Sequence, residues 1–205
     1  MQEIITTIIA LSLISAITPG PLMALLISET LKHGRTSGLK IALAPLVTDL
    51  PIMLVSTFVL SKLTQLNWVL GLISLFGAAF LAYLGYGSIK TKSIDLSTSE
   101  TPKSFRKGIL ANFLNPNPYM FYFTILGPLV VKGMQINVLI APLSVIIFLG
   151  FFVLGMMLIV FSVHALKEFF HSKKYVYVIR VLGVVLLYFA FTFLKESLAF
   201  FGIIK

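Results

Sequence analysis

The sequence predicts an all-α integral membrane protein: six transmembrane helices arranged as two inverted three-helix repeats, the first helix of each half broken by prolines. Three observations carry that expectation. The chain is 58% apolar and only 11% charged, whereas soluble domains run at roughly half apolar and a quarter charged. Its apolar residues gather into six stretches, at about 4–29, 38–60, 66–89, 108–131, 136–163 and 175–201. Each is long enough to cross a hydrocarbon core of about 30 Å. Finally, two proline pairs, Thr18-Pro19-Gly20-Pro21 and Asn115-Pro116-Asn117-Pro118, interrupt the first and fourth stretches.

The first stretch lacks a basic leading segment, outruns a signal-peptide core and offers no small-x-small cleavage site before Pro19, so it is expected to persist as a helix. A proline inside a helix removes a backbone donor and clashes with the preceding turn. In a bilayer, unwound backbone is tolerated only where it is buried in protein or lines a wet cavity. Breaks at matching places in two halves point to the binding site of a secondary transporter; packing kinks are the competing reading, and the recurrence disfavours it. Ser12, Ser15 and Thr18 follow at intervals of three. Beside the break, Ser15, Thr18, Pro19, Gly20 and Pro21 are candidate substrate contacts, and freed amides there can hold a carboxylate as helix N-termini do. Glu29, near Lys32 and Arg35, reads as an interfacial ion pair, with a gate as the other reading.

In the second stretch, Gly38, Ala42, Pro45 and Asp49 recur at helical spacing, a stripe of small residues ending in an acid. Asp49 lies roughly 17 Å along a helix starting at residue 38, near the bilayer midplane. A charge there costs about 2.5–3.5 kcal/mol, so the carboxylate is expected to face the protein interior or water. It is the candidate proton-coupling residue, with a counter-charge for a substrate ammonium, or a simple interhelical bond, as the other readings. The third stretch carries Gly71, Ser74, Ala78, Ala82 and Gly85 on one face, which reads as a packing seam.

The longest polar stretch, about 90–107, divides the chain into a first repeat (1–92), a cytoplasmic loop (93–107) and a second repeat (108–205), all within one membrane domain (1–205). Three helices per half is an odd number, so the second half enters the membrane with opposite orientation and any repeat is inverted. The fourth stretch has the densest polar face: Asn112, Asn115, Tyr119 and Tyr122 share a side if the helix runs through. With Pro116, Asn117 and Pro118 they complete the candidate substrate contacts, since amides and phenols suit a polar or zwitterionic solute. Interhelical hydrogen bonding is the other reading of the same residues.

The formal charge is +9, and 12 of the 16 cations fall around the first, third and fifth loops; Lys62, Lys132, Lys195 and Lys205 lie on the other side. The positive-inside rule then places those three loops in the cytoplasm and both termini outside. Loops this short cannot easily build the contiguous basic surface that a nucleic acid needs, so none is expected as a partner. With no cysteine in the chain, thiol relays, disulfides and thiolate metal sites are excluded. There is no HExxH pair and no second deep carboxylate for an aspartyl dyad, which speaks against an intramembrane enzyme. No cofactor and no resident metal are expected. A divalent-metal exporter remains the alternative function, strained because hard cations want several oxygen ligands; a non-transporting membrane scaffold is a further one, and homo-oligomerisation stays open.

Along essentially its whole length the sequence resembles the LysE/RhtB family of amino-acid and metabolite exporters. The resemblance is carried by Thr18-Pro19-Gly20-Pro21, by the run from Gly34 through Gly38 to Asp49, by Phe80-Leu81-Ala82-Tyr83-Leu84-Gly85 and by Phe113-Leu114-Asn115-Pro116. Two departures stand out: Asn117-Pro118 follows the asparagine-proline pair where the family often has lysine, and Ala44-Pro45 stands where glycines are common. The resemblance implies efflux of amino acids or similar small polar metabolites across the cell membrane, driven by the proton gradient. The outward direction rests on the resemblance alone.

Overall fold

The computed structural model describes residues 2–56, 66–90, 103–169 and 174–204. The described residues form α1 (Gln2–Ile17), α2 (Pro21–His33), α3 (Arg35–Leu54), α4 (Leu66–Ile89), α5 (Ser104–Phe113), α6 (Pro116–Phe121), a π-helical turn (Tyr122–Leu126), α7 (Gly127–Ile136), α8 (Ile140–Phe169) and α9 (Lys174–Phe200), with no strand among them. Positions 57–60 of the second apolar stretch, 93–102 of the expected loop, and Lys62, Lys92, Lys173 and Lys205 lie outside the described residues.

Among the described residues four helices, over Arg35–Leu54, Asn67–Ile89, Ile140–Ala165 and Val176–Phe200, are long and apolar enough to cross a membrane, and α1 with α2, bent by 57° at their break, make a fifth if the pair is one span. The fourth predicted stretch is divided among α5, α6, the π turn and α7, so no piece of it reaches spanning length. Four to five spans are therefore recognisable among the described residues where six were expected; Pro116 and Pro118 separate α5 from the helical run that follows. Its first helix also starts at Ser104, four residues ahead of the expected 108.

The outer surface is apolar at helical spacing: Leu154, Leu158 and Phe161 on α8, and Val181, Val184, Tyr188 and Phe191 on α9, all stand exposed. An apolar face of that extent belongs against lipid. The chain is a multi-pass membrane protein.

Local sequence explains each break. α1 stops at Ile17 because Pro19 disfavours helical backbone at Thr18, whose hydroxyl turns back onto the Ile14 carbonyl at 2.6 Å. α2 starts with Pro21 at its first position, where the missing N–H costs nothing, after an extended Gly20. The single residue between α2 and α3 is Gly34, at φ +84°, a left-handed value that favours glycine. In the fourth stretch, Asn115 caps α6 by accepting from the Asn117 N–H at 3.0 Å.

α4 and α9 form the most extensive helix pair, and α3 packs against α2, α5 and α8. The expected seam on α4 is where α9 approaches: Cβ atoms built on Gly85 and Gly183 would each stand 2.8 Å from the other's carbonyl oxygen, and Ser197 donates to the Gly71 carbonyl at 2.9 Å. On α5, Ser104, Lys107, Gly108, Ala111 and Asn112 share one helical face. Gly108 abuts Ala44 and Ile41 of α3, which sets this face against the first half of the chain. Gly85→Ala is expected to destabilise the bundle by about 1–3 kcal/mol, the usual cost of overpacking, whereas Gly87→Ala, with nothing within 4 Å of the added carbon, is expected to be neutral or slightly stabilising. Thermal unfolding midpoints in detergent check the contrast; equal effects would contradict the close approach.

Candidate functional site

Asp49 lies fifteen residues into α3 and is 3% exposed. A carboxylate so enclosed needs donors, and it has them. Oδ1 accepts from Asn112 Nδ2 at 2.5 Å and Oδ2 from the Tyr122 hydroxyl at 2.6 Å. Asn112 Nδ2 also donates to Thr48 Oγ1 at 2.6 Å, and the Thr48 hydroxyl has two acceptors in reach, the Ala44 carbonyl at 3.2 Å and Asp49 Oδ1 at 3.4 Å. Asn112 is the penultimate residue of α5 and Tyr122 opens the π turn, so one carboxylate ties α3 to both sides of the second break. π-helical turns within helices are frequent at functional sites.

Beside this cluster lies a cavity of about 380 Å³. Ser15, Thr18, Pro19, Gly20 and Pro21 line it from the first break, Asn112, Asn115, Asn117, Pro118 and Tyr122 from the second, and Asp49 from α3. The two proline breaks, nearly a hundred residues apart in sequence, thus meet at one space. The first turn of α2, which has no side-chain cap, lines the cavity through Leu22 and Met23.

Two expected contacts do not line the cavity. Tyr119 donates its hydroxyl to the Phe113 carbonyl at 3.0 Å, satisfying an oxygen freed by the break, and Pro116 is buried as the opening residue of α6. The single polar face expected across Asn112, Asn115, Tyr119 and Tyr122 therefore does not form. The break sends Asn112 and Tyr122 to Asp49, Asn115 to its own turn and Tyr119 back to α5. Thr18 reaches the cavity with its hydroxyl already bonded to Ile14.

Sequence reasoning missed Thr48 and the aromatic wall. Phe148, Phe152 and Met156 of α8 and Phe121 of α6 also line the cavity. Phe148 stacks on Phe152 with centroids 5.9 Å apart and meets the Tyr122 ring edge-on at 5.9 Å, which holds the phenol towards Asp49. The spacing of four between Phe148, Phe152 and Met156 was the available signal, but a lipid-facing stripe has the same period. Among the described residues no group of three or more His, Cys, Asp or Glu lies together; any cation here would rest on Asp49 and neutral oxygens.

Glu29 differs from its sequence reading. It is 2% exposed and bonds neither Lys32 nor Arg35; it accepts from Lys107 Nζ at 2.8 Å and Ser104 Oγ at 2.6 Å, both on α5.

The family described as LysE type translocator matches residues 13–197. The chain belongs to the LysE family. Among relatives of this LysE-family protein, the arginine exporter protein ArgO of Enterobacter sp. (strain 638) is 34% identical over 128 residues, 58% of each chain. That of Escherichia coli (strain K12) is 33% identical over 128 residues, again 58% of each. ArgO of Salmonella paratyphi B is 33% identical over 119 residues, 54% of this chain and 56% of the relative. The matched region thus spans little more than half the length of these relatives. No solved structure matches the chain.

Tyr122→Phe keeps the ring but leaves the buried carboxylate one donor short, and is expected to cost about 1.5–3 kcal/mol. In a double-mutant cycle with Asp49→Ala, measured by unfolding in detergent, a coupling of about 0.5–3 kcal/mol is expected. Additive costs would show that the two side chains do not depend on each other.

Proposed function

We propose that the chain is a six-span secondary transporter that exports amino acids or similar small polar metabolites across the cytoplasmic membrane, coupled to protons through Asp49. One observation carries the reading: a single carboxylate, hydrogen-bonded across the broken fourth stretch, stands in the lining of a cavity shared by both proline breaks. Family membership supports translocation, and the names of the ArgO relatives support amino acids as the solute class. In this reading residues 1–92 and 108–205 are opposed halves joined at 93–107. The first, third and fifth loops face the cytoplasm and the termini face outward, as the distribution of lysine and arginine favours.

The chemistry follows from what a carboxylate can accept. Ionised, Asp49 accepts from both Asn112 and Tyr122. Protonated, one of its oxygens becomes a donor, and the bonds from Asn112 and Tyr122 lose the charge assistance that makes them strong. Protonation therefore loosens the tie between α3 and the second break, and deprotonation restores it. The solute occupies the cavity between Ser15–Pro21 and Asn112–Tyr122, where hydroxyls and amides suit an ammonium and a carboxylate, and the positive end of α2 favours the carboxylate. Asp49 takes its proton from outside and releases it inside as solute leaves. A potential of 100 mV, worth about 2.3 kcal/mol per proton, sustains a solute gradient of up to about 50-fold at one proton per solute.

Purified protein in liposomes, given a proton gradient and a panel of labelled amino acids, tests this. The wild type is expected to drive one or a few amino acids against their gradient, and Asp49→Asn to insert but only equilibrate them. Undiminished uphill transport by Asp49→Asn would remove the residue from coupling.

A further inference from the structure

A second cavity, of about 260 Å³, lies where α2, α4 and α5 meet, and its lining includes Glu29, Lys32, Lys107, Ser28 and Ser88. Its charges do not balance. Lys107 is engaged by Glu29 at 2.8 Å, which in turn holds Ser104. Lys32 meets a neutral partner: its ammonium donates to Ser88 Oγ at 2.7 Å. Two ammonium groups therefore stand against one carboxylate among the described lining residues, inside a partly enclosed space where charge counts for more than on an open surface.

The position of this cavity along α2 gives the surplus a use. Leu22 lines the deep cavity beside Asp49, while Leu25, Glu29 and Lys32 line the second. These residues follow at intervals of three and four, so one face of α2 runs from one cavity into the other. The gap from Leu22 to Leu25 is about 4.5 Å of helix rise, and Leu25 and Leu26 on this stretch are buried to 2% and 0% exposure. The Glu29–Lys107–Ser104 clasp closes α2 onto α5 beside the outer cavity.

Building on the transport reading, we infer that this outer cavity is the cytoplasmic vestibule of the carrier, and that Lys32 there receives the carboxylate of a zwitterionic solute before it passes Leu25 to Asp49. An ammonium with spare donors is the natural partner for a carboxylate, and Glu29, one helical turn away, faces the same space with an acceptor for the solute's amino group. Solute arriving here competes with the bonds that hold the clasp shut, which links loading to opening.

Flux kinetics in liposomes, with the labelled amino acid that the wild type carries supplied on the Lys32 side, test this. Lys32→Gln is expected to raise KM about tenfold or more, the loss typical of a charge-assisted hydrogen bond, with Vmax within about twofold. Lys32→Arg is expected to restore KM, and Lys195→Gln, whose ammonium lies 5.6 Å from the Phe191 ring on α9, to leave both values alone. An unchanged KM in Lys32→Gln, or a fall in Vmax with KM intact, overturns the inference. So does a rise in KM confined to liposomes containing anionic lipid, which would assign Lys32 to a headgroup phosphate. Absence of any amino-acid flux in the wild type overturns the transport reading, and this inference with it.

Discussion

A carboxylate enclosed in an apolar interior must be met by donors, and this constraint organises the middle of the molecule. The two closest donors to Asp49 come from either side of an interrupted helix, Asn112 near the end of α5 and Tyr122 opening the π turn. An unbroken helix would set these two residues ten positions apart, about 15 Å along its axis and about 80° apart around it, so they would face different directions. The proline break is thus what lets both touch Asp49. The same break frees the Phe113 carbonyl, which Tyr119 satisfies, and the aromatic wall of α8 holds the Tyr122 ring in place.

The same logic recurs at the other end of α5. Glu29 is as buried as Asp49 and also takes its donors from α5, through Ser104 and Lys107. Ser104, Lys107, Gly108, Ala111 and Asn112 lie on one helical face, so a single ten-residue helix carries donors to both carboxylates. Gly108 lets that face sit directly on Ile41 and Ala44 of α3. A short rigid helix bonded at both ends cannot shift at one without straining the other, which provides a physical link between the deep site and the clasp beside the vestibule.

Much of this was legible in the sequence, for local reasons. Apolar stretches announce a membrane protein because bilayer thickness fixes helix length, and Pro19, Pro21, Pro116 and Pro118 mark the breaks because proline acts through its own ring. Asp49 stood out because charge is costly at that depth. What stayed hidden was tertiary. The partner of Glu29 is 78 residues away on α5, whereas Lys32 is nearer in sequence and faces the serine of another helix. Phe148 and Phe152 have the composition of lipid-facing residues, and only the turn of α8 points them inward. The even polar face drawn across Asn112 to Tyr122 assumed a continuous helix, and the break redistributed its members.

The account turns on Asp49 taking up a proton in place and thereby changing its hold on Tyr122. Infrared difference spectroscopy of the reconstituted protein between high and low pH addresses this directly. A carboxylic-acid carbonyl band should appear on acidification, together with a shift in tyrosine ring modes. Asp49→Asn should abolish both, and Tyr122→Phe the tyrosine signal alone. A wild-type spectrum in which no carboxylic band depends on Asp49, or in which the tyrosine modes stay fixed as that band rises, would contradict it.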